Sequence, residues 1–77
     1  MRVFPNPSST DFILSIESNS NEKIEVIVTD VYGKKVYHTT GSRYSRYSFG
    51  KEFSSGVYFI RVMRGKNTET LKIIKEN

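Results

Sequence analysis

Apolar and polar positions alternate with a period of two in short blocks along this chain, and clusters of Ser, Asn, Gly and Pro separate the blocks. That period belongs to half-buried β-strands, whose successive side chains point to opposite faces. Phe12, Leu14 and Ile16 alternate with Ile13, Ser15 and Glu17, and the first set is assigned inward. Beyond a polar turn at residues 18–22, Ile24, Val26 and Val28 form the inward set of a second strand ending at Asp30. Asp30-Val31-Tyr32-Gly33 reads as a tight hairpin turn. An Asp there bonds the backbone ahead of it, and Gly takes the positive φ that closes the turn. Residues 34–39 return as the partner strand.

After a break at Gly41-Ser42, residues 43–49 make the next strand, with Tyr47 and Phe49 on its core face. Residues 50–55 form a corner with Phe53 tucked beneath it. Gly56 opens a strand over 57–63, whose Tyr58, Ile60 and Val62 face away from Arg61; the charged residue marks the wet face. A turn at Arg64-Gly65-Lys66-Asn67 leads into a last strand over 68–75, with Leu71 and Ile73 inward. With a short first strand at residues 2–4, about seven strands separated by regular turns predict an all-β fold, an antiparallel β-sandwich.

Composition agrees with the pattern. Of 28 apolar residues, 7 are Val, 7 Ile, 5 Phe and 5 Tyr, against 2 Leu, 2 Met and no Ala. Branched and aromatic side chains suit a pleated surface, and the strongest helix formers are scarce, which excludes a helical bundle. Seventy-seven residues bound the protein to one small domain, residues 1–77, with no second lobe and no large enclosed cofactor. A chain this short buries only about 60% of its unfolded surface, and without Cys it has neither disulfides nor thiolate metal sites. No apolar run approaches the ~20 residues of a membrane span, and none has the form of a signal peptide.

The net charge of +4 is unevenly spread. Residues 1–30 carry two cations against five carboxylates, whereas 31–66 carry eight cations against Glu52 alone. The basic half contains Arg43-Tyr44-Ser45-Arg46-Tyr47-Ser48-Phe49-Gly50-Lys51, which interleaves cations with rings as nucleic-acid surfaces do. Because Tyr47 and Phe49 are needed for the core, a solvated face is the preferred reading, and no nucleic-acid partner is expected. Arg43, Tyr44 and Arg46 remain a candidate secondary contact patch, with Arg61 and Arg64 as candidate neighbours. Ile13, Ile27 and Ile74 lie opposite the assigned core, either as a docking strip or as ordinary edge packing.

Catalytic chemistry is poorly served. One His, ten Ser without a G-x-S-x-G elbow and no Cys supply no triad, and His38 is placed as a strand residue. Glu22 and Glu25 read as solvated charges beside Lys23. No phosphate-cradling glycine run or calcium loop is present. Catalytic, cofactor-binding and metal-binding residues are therefore assigned to none.

Four features in order carry a resemblance: Pro5-Asn6-Pro7, Asp30-Val31-Tyr32-Gly33-Lys34, Ser55-Gly56-Val57-Tyr58 and Lys72-Ile73-Ile74-Lys75. Together they resemble the type A C-terminal sorting domains of the type IX (Por) secretion system of Bacteroidetes-type bacteria, over about residues 3–75. The resemblance implies an immunoglobulin-like sandwich, no catalytic activity and no cofactor. It also implies an address that directs a larger, N-terminally attached cargo through the periplasm to an outer-membrane translocon and on to the cell surface or medium. A sortase-like peptidase then removes the domain, without membrane insertion of the domain itself. Met1 is then expected to stand where cargo sequence precedes the domain, with any cleavage site before Val3. Translocon recognition is expected at Leu71, Lys72, Ile73, Ile74 and Lys75. Pro5, Asn6, Pro7, Asp30, Gly33, Gly56 and Tyr58 fall on motif positions that read as structural.

Physical reasoning gives those positions separate roles. Pro5 and Pro7 fix φ and remove two donors, making a rigid corner. Tyr58 after Gly56 resembles a tyrosine corner, and a last strand at a sheet edge offers unpaired backbone groups to a receptor strand. The basic Arg43 stretch departs from the family pattern and leaves room for a local contact. A competing reading of the same strands is a fibronectin-III-like or carbohydrate-binding adhesion module.

Overall fold

Alternating side chains bury one face of each strand against the facing sheet. The computed structural model describes residues 2–17, 23–41 and 44–76. Seven strands run in chain order as β1 (Arg2–Phe4), β2 (Phe12–Glu17), β3 (Ile24–Thr29), β4 (Lys35–Gly41), β5 (Tyr44–Phe49), β6 (Gly56–Arg64) and β7 (Asn67–Lys75). They form a three-stranded sheet, β1-β2-β5, and a four-stranded sheet, β4-β3-β6-β7. Every neighbouring pair is antiparallel. This is the expected immunoglobulin-like antiparallel sandwich, with no helix among the described residues. The 18–22 turn, Glu22 and Arg43 lie outside the described residues.

The inward sets read from periodicity form the core. Phe12, Leu14 and Ile16 of β2, Ile24, Val26 and Val28 of β3, Tyr58, Ile60 and Val62 of β6, Phe49 of β5 and Ile73 of β7 are all buried. Register explains their agreement: Val26 faces Val62 and Val28 faces Ile60 across β3 and β6, so one inward residue places its partner inward too. Tyr47 and Phe53 pack partly buried against this cluster.

Turns follow the glycines. Gly65 takes a φ of 56° in a hairpin in which Arg64 pairs Asn67, so β7 starts one residue earlier than periodicity suggests. β4 runs on to Gly41, past the expected end at Thr39, because the ladder with β3 continues to Ile24. A register shift between Val28 and Thr29 leaves no trace in the alternation. At Gly50, φ is 93° and a Cβ would sit 2.9 Å from the Phe12 ring, so only glycine fits the corner above the core.

Two expectations about the outer faces are corrected. Ile13 pairs Phe4 of β1, which places it on the outside of the three-stranded sheet, whereas Ile27 and Ile74 lie on the outside of the other. The three isoleucines therefore make no single strip. Arg61, opposite Ile27, is likewise on the four-stranded sheet, and Arg64 pairs Glu69 at 2.6 Å. Neither joins Arg46, which pairs Ser15 on the other outer face.

Candidate functional site

β7 ends the four-stranded sheet and pairs only β6 in its ladder. A strand in that position has one row of backbone groups without sheet partners. Along its last turn of sequence the side chains alternate in environment: Ile73 and Lys75 are buried, Lys72 and Ile74 are exposed, and Leu71 is half-buried. Of the five residues assigned to recognition, Lys72, Ile74 and the rim of Leu71 are within reach of a partner. Ile73, at 0% exposure, is core, and Lys75 is 5% exposed.

Lys75 is satisfied by the main chain. Its ammonium donates to the Gly50 carbonyl at 2.6 Å, to the Thr10 carbonyl and, at 3.4 Å, to the Lys51 carbonyl. A cation removed from water needs such partners, and here they come from two loops of the other sheet's ends. The side chain thereby ties the end of β7 to the Gly50 corner and to the segment before β2.

Asn6 makes a second tie. Its side-chain amide accepts the Ile74 N–H at 3.0 Å and donates to the Lys72 carbonyl at 3.1 Å, across 66 to 68 residues of chain. Ser8 continues the pairing: its N–H donates to the Ile74 carbonyl at 3.1 Å, and its carbonyl accepts from Glu76 at 2.7 Å. The Ser8–Lys75 bridge is parallel. The Phe4–Pro5 and Asn6–Pro7 bonds flanking this amide are both cis. Sequence reasoning saw a rigid corner here and missed the clamp, since its partner lies at the far end of the chain.

The remaining motif residues hold turns. Asp30 accepts the N–H groups of Tyr32 and Lys34 at 2.9 and 3.0 Å through one carboxylate oxygen, while its carbonyl accepts from Gly33 at 3.1 Å. Gly33 supplies the φ of 82° that this turn requires. Tyr58, reached two residues after Gly56, is a true tyrosine corner: its ring is buried and stacked 4.6 Å from Phe53, and its hydroxyl donates to the Ser54 carbonyl at 2.7 Å. Among the described residues no three His, Asp or Glu side chains approach closely enough to share a metal ion. His38 meets Glu25 at 2.7 Å on the open face of the four-stranded sheet, a pairing between adjacent strands that spacing did not announce.

On the opposite outer face Arg46 has company that the sequence reading did not foresee. The guanidinium carbons of Arg2 and Arg46 lie 5.7 and 5.8 Å from the centre of the Phe4 ring. Adjacent pairing of β1 and β5 with β2 creates this group, since Arg2 and Arg46 both stand opposite Ser15. Tyr44 belongs to β5 as well, two residues before Arg46.

The family model for the secretion system C-terminal sorting domain matches residues 2–76. No curated protein matches the chain.

Proposed function

This chain belongs to the secretion system C-terminal sorting domain family, the C-terminal signals of type IX secretion, and from that premise we propose how the domain is read. The family's role is to send a cargo joined to its N-terminal side out to the cell surface or medium. The match across residues 2–76 carries this reading, because it spans all seven strands and not one motif. Recognition by the translocon takes place at β7, through exposed Lys72 and Ile74 and the rim of Leu71. Ile73 and Lys75 act from inside, fixing the strand in the geometry in which it is presented. Lys72 also discourages unselective strand pairing at that edge.

The domain is non-catalytic and takes no cofactor. It is read in the periplasm, and a sortase-like peptidase separates it from its cargo. Arg46, Tyr44 and Arg43 supply a secondary contact for an acidic group. No helix among the described residues is long and apolar enough to cross a membrane.

Fusing the domain behind a periplasmic reporter, in a bacterium with a type IX system, tests the reading. Wild-type domain should bring the reporter to the surface or medium. Lys72→Glu together with Ile74→Ser should retain it in the periplasm while leaving the melting curve of the isolated domain unchanged. Export of the double variant at the wild-type level overturns the assignment of the contact residues.

A further inference from the structure

The outer edge of β7 is divided. Alternation places the N–H and C=O of residues 68, 70, 72 and 74 on the side away from β6. Asn6 and Ser8 occupy the lower part of that row: the Lys72 carbonyl, both groups of Ile74 and the Glu76 N–H. Pro5 and Pro7 contribute no N–H, so the capping segment adds few donors to the edge it creates. Above it, among the described residues, nothing bonds the N–H and C=O of Thr68 and Thr70 or the N–H of Lys72, and Asn67, Thr68, Glu69 and Thr70 are all exposed.

We propose that this upper half, Thr68 to the Lys72 amide, is the docking edge of the domain, and that its occupant is an extended strand of the export machinery. The inference rests on the sorting role given above and adds to the side-chain contacts at Leu71, Lys72 and Ile74 a backbone contact on one half of the strand. An extended backbone offers donors and acceptors in register with Thr68 and Thr70, two residues apart on one side of a strand. The outer face beside that edge carries Arg61 opposite Thr70 and Lys72 opposite Phe59, so the added strand presents an acidic side chain there. The clamp keeps the same strand from sliding down over residues 74–76. It thus sets the register in which the incoming strand is read, and it does so with the segment nearest the cargo.

Proline at residue 70 removes the central N–H of the open half without touching the β6 ladder, and valine there keeps it. With the periplasmic reporter fusion, Thr70→Pro should lower the exported fraction at least tenfold below that of Thr70→Val, which keeps the N–H. Thermal melting of each isolated domain checks the fold, and Thr68→Pro replaces Thr70→Pro if the latter melts early. Wild-type export of a folded proline variant overturns the docking edge alone. Failure of the wild-type fusion to export overturns the sorting role, and the docking edge with it. Slowed amide exchange at Thr68 and Thr70 in membranes containing the translocon, with Ile74 unaltered, supports the proposal; slowing confined to other strands overturns it.

Discussion

The ammonium of Lys75 and the carbonyl of Gly50 meet at 2.6 Å, joining the end of the last strand to a corner 25 residues earlier. Polar groups of both partners are withdrawn from water, so the contact is costly to break from one side. Lys72, three residues before Lys75, points to solvent and has no such role.

Opposite outcomes follow for the two lysines. Lys75→Glu should cost about 3 kcal/mol or more, because it buries a carboxylate against the Thr10, Gly50 and Lys51 carbonyls, which like it can only accept. For a domain whose whole stability is of the order of 5 kcal/mol, that is enough to unfold it. Lys72→Glu should change stability by less than about 0.5 kcal/mol. Urea denaturation followed by circular dichroism separates the two, and a folded Lys75→Glu domain would contradict the account of the buried Lys75 tie.

Two tyrosines should respond to loss of a hydroxyl with different signs. Tyr58→Phe deletes the bond to the Ser54 carbonyl and should destabilise by about 1 kcal/mol. The hydroxyl of Tyr47 is buried and has no hydrogen-bond partner among the described residues. Tyr47→Phe removes an unmet polar group and should be neutral or stabilising, by up to about 1 kcal/mol. Denaturation midpoints of the two variants, compared with wild type, should fall on opposite sides or leave Tyr47→Phe unchanged.

Asp11 supplies an acid-sensitive contact. The hydroxyl of Ser48 donates to its carboxylate at 2.8 Å and, more than any other group, holds its pKa below the ordinary aspartate value. A depressed folded pKa means that the contribution is complete above the unfolded value and fades as pH falls through the folded one. The urea midpoint of the wild type should therefore decline below the ordinary aspartate range more steeply than that of Ser48→Ala. Parallel pH profiles for the two proteins would remove Asp11 from the acid response.

Much of the fold was legible because a strand's period acts locally. Phe12-Leu14-Ile16 and Ile24-Val26-Val28 each declare a buried face from three residues, and sandwich packing uses those faces as written. Asp30 and Gly33 were equally legible, since a turn is made by residues four apart in sequence. Lys75 was not. A lysine at the end of an alternating strand looks solvated, and the Thr10, Gly50 and Lys51 carbonyls, converging from loops at the ends of the other sheet, make its burial tolerable.

By itself, then, the sequence determined the strands, their inward faces, the tyrosine corner and the family, all carried by short-range pattern and ordered motifs. Tertiary structure alone decided which strands share a sheet, and hence that Ile13 and Ile27 occupy opposite outer faces. It also decided that Asn6 closes half of the β7 edge and leaves Thr68 and Thr70 open. The physical reason is common to both: periodicity fixes which way a side chain points, but hydrogen bonds between segments 66 or more residues apart exist only once the chain has brought them together.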